Sequence, residues 1–544
     1  MGASAISNPT VSGVPGESAV APLPAPEFFP PAAAVAPARA PVVIDVRDLT
    51  TYFYTYDGVV RALEGVSFKL RRGELLGLVG ETGCGKSVTA FSMTRLVAEP
   101  PGRIVGGKVL FRGANLLWGI DREASFKPVR KSERVKVRRH FRQIKAGQNR
   151  ISSIRGRGIA MIFQEPGQAM NPVFPIYDQL GEAILLHRGI EVVDGLLGAK
   201  PNSPDVQIAI QRLAGLGPNA DPKTLRAAAM EVGRAVNLPS FGVEAYYVAK
   251  EQFPEHREHV IADLNRRLRR LRLSSMQRSY LLRERRLAQL DQELRAVHLE
   301  EMRQGKFLTG PKRRIRSAQI RARSRGALFR LWGIKRRASF PLREETFWRV
   351  VGVLEGVQIA NPAQVARGYP HELSGGMVQR VMIAMALSSD PDVLLADEPT
   401  TALDVTIQAQ ILELMRDLRH RVGTAILLIT HDLAVVAEVA DRVAVMYAGQ
   451  IIEMAPVKEL FTSPLHPYSQ GLLSSIPRFD QPDRKLESIY GSVPNLIHPP
   501  TGCRFHPRCP HAMPVCQESR PPLTVEGPGH HVACFLYKGP PAVE

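Results

Sequence analysis

Eight consecutive residues carry the clearest chemical pattern in the chain. Their glycines allow successive backbone N–H groups to turn towards one anion, while Lys86 could reach the β- and γ-phosphates of a nucleotide and Ser87 could ligate Mg²⁺. An apolar run at 75–80 precedes the stretch and a helical segment at 88–96 follows it, which is the context that a phosphate-binding loop requires. The sequence therefore predicts a nucleotide-phosphate site. The stretch reads Gly80, Glu81, Thr82, Gly83, Cys84, Gly85, Lys86, Ser87.

Polar residues end two further apolar runs. Asp397 and Glu398 follow the run at 393–396, and His431 follows the run at 425–430. Asp397 would bind Mg²⁺ directly or through water, and Glu398 would polarise the attacking water as general base. Because the carboxyl ends of parallel strands line one crevice, these side chains are expected beside the phosphate loop. The three apolar runs predict an α/β fold with a parallel core sheet.

The basic charge of the chain is unevenly placed. The formal net charge is +19, yet residues 127–157 contain 12 Lys and Arg against one acid, and residues 251–345 contain 25 against 11. Together the two segments carry a charge of +25, which exceeds the net charge of the whole chain, so the remaining residues are slightly acidic. The first 41 residues are rich in Pro and Ala and are expected to be disordered. No charge-free apolar run reaches 18 residues, so no segment is expected to span a bilayer.

Four cysteines crowd the C-terminus. Their spacings of 5, 6 and 17 intervening residues lack the close pairs that zinc sites favour, and four thiolates also suit a [4Fe–4S] cluster. Reduced structural cysteines or two disulfides remain open alternatives. Four histidines lie close enough in sequence to replace a ligand. The cysteines are Cys503, Cys509, Cys516 and Cys534, and the histidines are His506, His511, His530 and His531.

Five further motifs, found in the expected order, resemble those of the ABC transporter ATP-binding family. The resemblance assigns a signature motif, a glutamine loop, a D-loop, a switch histidine and an aromatic residue that stacks on adenine. They are Leu373, Ser374, Gly375, Gly376 and Met377 with Gln379 and Arg380 (signature), Gln164 (glutamine loop), Thr401 to Asp404 (D-loop), His431 (switch) and Phe53, with Tyr54 and Tyr56 as alternatives (aromatic).

This resemblance implies a P-loop NTPase fold of the ABC cassette type, with a RecA-like core sheet, an antiparallel β subdomain and a helical subdomain. It implies ATP and Mg²⁺, with Gln164 joining Ser87 and Asp397 around the ion. In this family the signature motif caps the ATP of a partner subunit. The chain has one phosphate loop and one signature, so complete sites are expected only in a dimer.

A finer resemblance is to the first ATPase subunit of dipeptide and oligopeptide importers, a family that also includes importers of nickel and other small solutes, so a related small solute is the alternative to peptides. It is carried by the stretches at 171–173, 369–372, 466–468 and 502–510. It implies a paralogous ATPase partner, two membrane permeases, an extracytoplasmic solute-binding protein and a place on the cytoplasmic face of the inner membrane. Because some members hold an iron–sulfur cluster in this tail, it also favours [4Fe–4S] over zinc for the four cysteines.

Two basic inserts depart from the family pattern, at about 118–150 and 190–344. They would interrupt an ATP-binding domain at 42–455, which precedes a C-terminal extension at 456–544 with the four-cysteine site. The larger insert is expected to be mainly helical. Either a solvated hairpin or contact with anionic lipid would explain the arginines. A soluble ABC ATPase that acts on nucleic acid or ribosomes through these inserts is the alternative function, which the single cassette and the importer-like tail disfavour.

Overall fold

The computed structural model describes residues 40–128, 135–165, 169–216, 220–252, 257–324, 326, 329, 331–401, 404–475 and 489–537. Of the Pro/Ala-rich segment predicted at 1–41, residues 1–39 lie outside the described residues, as do Ala402 and Leu403 of the D-loop.

Among the described residues, fourteen strands form two larger sheets and one hairpin. They are β1 Val42–Tyr54, β2 Val59–Arg71, β3 Leu75–Val79, β4 Gly102–Phe111, β5 Ala114–Asn115, β6 Ala124–Pro128, β7 Val135–Arg139, β8 Ile159–Ile162, β9 Val393–Asp397, β10 Ala425–Ile429, β11 Arg442–Tyr447, β12 Gln450–Pro456, β13 Thr524–Gly527 and β14 His530–Val532.

The larger sheet has eight strands in the order β13-β14-β12-β11-β3-β10-β9-β8. The strands from β11 to β8 run parallel, and every residue of β3, β9 and β10 is buried. Complete burial is typical of parallel strands that are covered on both faces, and it explains why these runs are continuously apolar. The extension completes the other edge, because β14 pairs antiparallel with β12.

The register of this sheet aligns the predicted site. Ile429 at the end of β10 pairs with Leu78 of β3 on one side and with Asp397 of β9 on the other. The phosphate loop, Glu398 and His431 therefore leave the sheet at the same edge. A separate antiparallel sheet, β2-β1-β4-β5, packs against the helix that follows the loop: Thr51 Oγ1 lies 2.8 Å from Ser92 Oγ in the last turn of that helix.

Eighteen α-helices complete the described part of the chain. They are α1 Lys86–Met93, α2 Phe141–Ser152, α3 Ile176–Gly198, α4 Pro204–Gly215, α5 Pro222–Val236, α6 Pro239–Gln252, α7 Arg257–Arg270, α8 Ser275–Gln304, α9 Thr309–Ser324, α10 Trp332–Ala338, α11 Phe340–Gly356, α12 Pro362–Arg367, α13 Gly375–Leu387, α14 Val405–Val422, α15 Leu433–Val439, α16 Val457–Thr462, α17 Pro467–Ser474 and α18 Pro514–Glu518. No helix among the described residues is long and apolar enough to cross a membrane.

The two basic segments touch each other. The Trp118 and Phe307 rings pack against each other at an interplanar angle of 52°, with centroids 5.0 Å apart, and the Arg150 guanidinium lies 4.7 Å from the centroid of the Trp118 ring. The long helix α8 is started by a capping box at Ser274 and Gln277. Between α3 and α11, the helices α4 to α10 form the larger segment, which is helical as predicted.

Candidate functional site

The phosphate loop has a backbone that only glycine allows at two positions. Gly80 and Gly85 have φ of 152° and 105°. A Cβ atom at Gly80 would lie 2.1 Å from the Met446 carbonyl oxygen, and one at Gly85 would lie 2.7 Å from that of Ala62. The loop is thus packed against its neighbours with no space for side chains at these two residues, which fixes its course.

The Lys86 side chain folds back onto the start of the phosphate loop. Its buried Nζ atom donates hydrogen bonds to the carbonyl oxygens of Gly80 at 2.7 Å and Glu81 at 3.0 Å. Helix α1 begins at Lys86, with Gly85 as its N-cap and no acidic residue in its first turn. The ammonium group and the free backbone N–H groups of the helix start give this point a positive potential that suits phosphate.

Ser87 and Asp397 form the candidate Mg²⁺ site. The Ser87 hydroxyl donates to Oδ1 of Asp397 at 3.0 Å, and Oδ2 of Asp397 is buried without a hydrogen-bond partner. Burial, reinforced by the nearby Glu398 carboxylate, raises the pKa of Asp397 to about 6. A buried carboxylate with a free oxygen beside a hydroxyl is a donor set that fits Mg²⁺. When bound, the ion would neutralise charge on the β- and γ-phosphates.

Glu398 is the centre of the polar cluster. Gln164 Nε2 donates to one of its carboxylate oxygens at 3.0 Å, and Thr401 Oγ1 donates to the same oxygen at 3.1 Å. His431 Nδ1 lies 3.1 Å from the other oxygen. Glu398 also has a left-handed φ of 46°, and its N–H donates to Ile429. The structure therefore brings together three residues predicted from distant motifs, Gln164, Glu398 and His431.

The signature residues lie on a different, exposed surface. Ser374 caps helix α13 and accepts a hydrogen bond from the N–H of Met377. Ser374 and Gly375 are exposed, and a Cβ atom at Gly375 would meet nothing within 4 Å; Gly376 follows in the first turn. Asp404 of the D-loop is also exposed and caps α14 through the N–H of Ile407. A helix start that is open to solvent is available to an anion on another molecule.

The predicted adenine-stacking residue is half-buried in β1. Phe53 pairs with Val60 and with Gly102, and a Cβ atom at Gly102 would lie 2.9 Å from the Phe53 ring. Tyr54 is half-buried and Tyr56 is fully exposed. Phe53 and Tyr54 are the last residues of β1, in the sheet that packs against α1, whereas Tyr56 lies in the turn between β1 and β2.

The four C-terminal cysteines line one small cavity. Burial raises the pKa of Cys503, Cys509 and Cys534, that of Cys534 to about 11. In the described residues, no group of three or more His, Cys, Asp or Glu side chains is arranged to hold a metal ion. Of the candidate substitute ligands, His506 and His511 line the same cavity, while His530 contacts Glu453 and His531 lines a different cavity.

Comparison with known proteins identifies the family. The ABC transporter family matches residues 63–174 and 274–401, and the oligopeptide/dipeptide transporter C-terminal region matches residues 452–516. A probable peptide ABC transporter ATP-binding protein of Sinorhizobium fredii is 33% identical over 498 residues, which cover 91% of this chain and 96% of the relative. The oligopeptide transport ATP-binding proteins AppD of Bacillus subtilis and OppD of Salmonella typhimurium are 32% and 31% identical, with coverage of 91% and 92% of this chain and 97% and 95% of theirs.

The chain belongs to the ABC transporter ATP-binding proteins. Within that family it has the C-terminal region found in the oligopeptide and dipeptide branch. The predicted fold class, an ABC cassette with a mainly helical basic insert and a small cysteine-rich extension, is confirmed by the family match and the helices and sheets described above. This ABC protein is an ATPase that uses ATP and Mg²⁺.

Two residues of this ABC protein that contact the phosphate loop were not predicted to do so. Arg508 and Tyr468 both come from the C-terminal extension and both hold Glu81. Each belongs to a stretch that carries the importer resemblance, but nothing in those stretches indicates a contact with Glu81, which lies 387 residues before Tyr468 and 427 residues before Arg508.

Proposed function

We propose that this ATPase energises the uptake of dipeptides and oligopeptides across the cytoplasmic membrane. The observation that carries the proposal is the C-terminal region at 452–516, since relatives matched over more than 90% of their length are named for peptide transport. The chain would sit at the cytoplasmic face of the inner membrane beneath two permeases, with a solute-binding protein on the other side.

The proposed reaction uses the cluster around Glu398. Glu398 would take a proton from the water that attacks the γ-phosphate, and His431 and Gln164 would orient its carboxylate and that water. Lys86 and the N–H groups of residues 80–87 would hold the phosphates. Ser87 and Asp397 would bind Mg²⁺, with Gln164 as a further ligand, and Phe53 would stack on the adenine.

The active form would be a heterodimer with a paralogous ATPase subunit. The exposed helix start at Ser374 and Gly375 supports this proposal, because it offers an anion site that faces solvent in the single chain. There it would cap the γ-phosphate of ATP on the partner, with Gly376 and Asp404 at the same interface. Sequestration of ATP between two subunits would couple its hydrolysis to their separation, and so to the permeases.

The four cysteines would hold a [4Fe–4S] cluster in this proposal. Four thiols around one cavity supply the donor set. Their spacings of 5, 6 and 17 intervening residues lack the close pairs that zinc sites favour, which supports a cluster over zinc. The role would be structural, in an extension at 456–544 that follows an ATP-binding domain at 42–455.

The basic segments at about 118–150 and 190–344 would contact anionic lipid headgroups. Residues 302–343 contain no Asp or Glu. On helix α9 the arginines are exposed and only Ile315 is buried. Ile320 on α9 and Trp332 at the start of α10 are 69% and 74% exposed, so apolar side chains stand among the cations. Basic and aromatic side chains together suit the headgroup layer.

Reconstitution tests the proposed function. The chain would be combined with its candidate partner ATPase, permeases and binding protein in proteoliposomes. Transport of labelled di- and oligopeptides would be measured with ATP supplied on the side of the membrane that carries the ATPase subunits. Peptide uptake that requires ATP supports the proposal. ATP-driven uptake of another small solute and not of peptides would contradict the peptide assignment, and stimulation of ATPase activity by nucleic acid in place of transport would favour the alternative function.

A further inference from the structure

Glu81, the second residue of the phosphate loop, is held by an arginine of the C-terminal extension. Arg508 Nη1 donates to Oε2 of Glu81 at 2.8 Å, and Nη2 donates to Oε1 at 3.1 Å. The pairing is bidentate, which is the most directional form of an ion pair. The Arg508 side chain is 6% exposed, so the contact is largely protected from water and salt.

The backbone of the same residue is held as well. The Glu81 N–H donates to the hydroxyl of Tyr468 at 2.9 Å, and Tyr468 is fully buried. The Glu81 carbonyl accepts from Lys86 at 3.0 Å. Two of the three polar groups of Glu81, its carboxylate and its N–H, are therefore fixed by the extension, while the third is fixed by the lysine that is expected to reach the phosphates.

The extension is itself firmly seated at this point. Phe505 is buried and meets the rings of Tyr447 and Tyr468 with centroids 5.2 and 5.5 Å apart. Arg508 also lies 5.8 Å from the Tyr447 ring and donates to the carbonyl oxygens of Tyr490 and Gly491 at 3.0 and 3.1 Å. The guanidinium is thus pre-positioned by several contacts, so its bond to Glu81 orders the loop at little further entropic cost.

We propose that Arg508 and Tyr468 are positioning residues of the phosphate loop, through which the C-terminal extension sets the affinity for ATP. The inference rests on the ATP-binding role of the loop and is independent of which solute is transported. Arg508 neutralises the carboxylate of the phosphate loop itself, and Tyr468 fixes the loop backbone. Without Arg508, the Glu81 carboxylate is unpaired and repels the triphosphate.

The test measures equilibrium binding of a fluorescent, non-hydrolysable MgATP analogue to the full-length chain. Arg508→Ala should raise the Kd about tenfold, because the unpaired Glu81 carboxylate then repels the triphosphate. Addition of Glu81→Ala to that variant should recover most of the lost affinity, because the repelling carboxylate is then gone. A merely structural role for Arg508 predicts no such recovery. Tyr468→Phe should raise the Kd severalfold.

Arg520→Ala is the matched control, because this arginine of the same extension faces Gly65 of β2. It should leave the Kd unchanged. An unchanged Kd for Arg508→Ala overturns the proposal, as does a double variant that binds no better than Arg508→Ala or a control that weakens binding equally. If Arg508→Ala does not fold, Arg508→Lys, which keeps the charge and loses the bidentate contact, should still raise the Kd, and an unchanged value overturns the proposal. Failure of the unmodified chain to bind the analogue would instead refute the ATP-binding assignment.

Discussion

The Ser87 hydroxyl donates a hydrogen bond to Asp397 at 3.0 Å, although 310 residues separate the two positions. The contact forms because β3 and β9 flank β10 in a parallel sheet and end at the same level. The helical segment between them in the chain leaves this edge of the sheet undisturbed. Both side chains belong to the candidate site, and Asp397 is followed directly by Glu398, the proposed general base.

Glu398→Gln should bind ATP with near-normal affinity and lose at least about 100-fold in turnover, as expected when a general base is removed. The amide keeps the shape of the side chain, so its oxygen can still accept the hydrogen bonds that Gln164 and Thr401 donate. Phosphate release by the assembled transporter measures turnover, and nucleotide binding is measured on the same preparation.

The surface change Glu459→Gln serves as the control for that experiment, since Glu459 is exposed on α16. Residual activity from the partner's own site has to be subtracted with a partner variant that cannot turn over ATP. Near-normal phosphate release after that subtraction would remove Glu398 from the proposed mechanism.

The isolated chain should hydrolyse ATP slowly, because its signature surface would serve nucleotide on another subunit. Addition of the partner ATPase and the permeases should increase turnover at least tenfold. Ser374→Arg should leave ATP binding by this chain unchanged and should reduce turnover of the complex, since the bulky side chain would block the exposed start of α13. Full activity of a proven monomer, determined by light scattering at the assay concentration, would refute the half-site arrangement.

Replacement of the exposed arginines of helix α9 by glutamine should weaken binding to vesicles that contain anionic lipid. The loss follows from the charge on this helix, so added salt should weaken binding of the unmodified chain in the same way. The replaced residues are Arg313, Arg314, Arg316, Arg321 and Arg323.

Vesicles of zwitterionic lipid are the control for the helix α9 variant. The α9 substitutions should leave ATP binding unchanged. Vesicle binding that is insensitive to both salt and the substitutions would contradict the lipid proposal. Tight, salt-sensitive binding of RNA with no binding of vesicles would point to nucleic acid as the partner of this surface.

Anaerobically purified protein should be brown, with broad absorption at about 400 nm from thiolate–iron charge transfer. Cys509→Ser should reduce iron and sulfide content, whereas Cys84→Ser in the phosphate loop should not. A colourless sample with stoichiometric zinc would decide for zinc. A metal-free protein whose extension is folded, as judged by resistance to proteolysis, would exclude both the iron–sulfur cluster and zinc.

Acidification should destabilise the packing of helices α3 and α8 through two histidines, one on each helix. Burial lowers the pKa of His187 to about 4, with Arg295 and Arg157 adding to the effect, and burial likewise lowers the pKa of His298 to about 4, with Lys312 adding to it. An unfolded histidine has a pKa of about 6.5, so the unfolded state binds more protons as the pH falls from 6.5 to 4. Stability is therefore lost over that window, by up to about 3 kcal/mol for each residue and by less at His187, which is partly exposed to solvent.

Thermal unfolding measured between pH 7.5 and 4 checks this prediction. The double variant His187→Gln and His298→Gln should have a flatter pH profile, and a change at the exposed His371 should not. An unchanged slope in the double variant would show that other groups cause the acid sensitivity.

The sequence by itself determined the parts of this protein that depend on short-range patterns. A glycine-rich loop between an apolar run and a helix, and acids or histidine at the ends of two further apolar runs, predict both the core sheet and the site because parallel strands bring their carboxyl ends to one edge. The cluster of Gln164, Glu398 and His431 follows from that topology. The site residues' roles remain predictions for the experiments above.

Two stretches of nearly identical sequence adopt different local structures. Residues 118–126 and 332–340 match at seven of nine positions. In the first copy a 3₁₀ turn leads into the strand β6, and in the second copy the same phrase forms the helix α10. The Trp118 ring packs at a tilt against Phe307, whereas the Trp332 ring is exposed and contacts the Arg336 guanidinium. Packing partners decide between the two conformations because local preferences are weak compared with tertiary contacts.

Only the tertiary structure decided which distant residue holds the phosphate loop. Arg508 and Glu81 are 427 residues apart, and no periodicity or motif links them. Many arginines in this chain could pair with a carboxylate, and the choice depends on how the Phe505, Tyr447 and Tyr468 rings pack. Packing of that kind is a property of three-dimensional shape complementarity, which a linear pattern of polar and apolar residues does not encode.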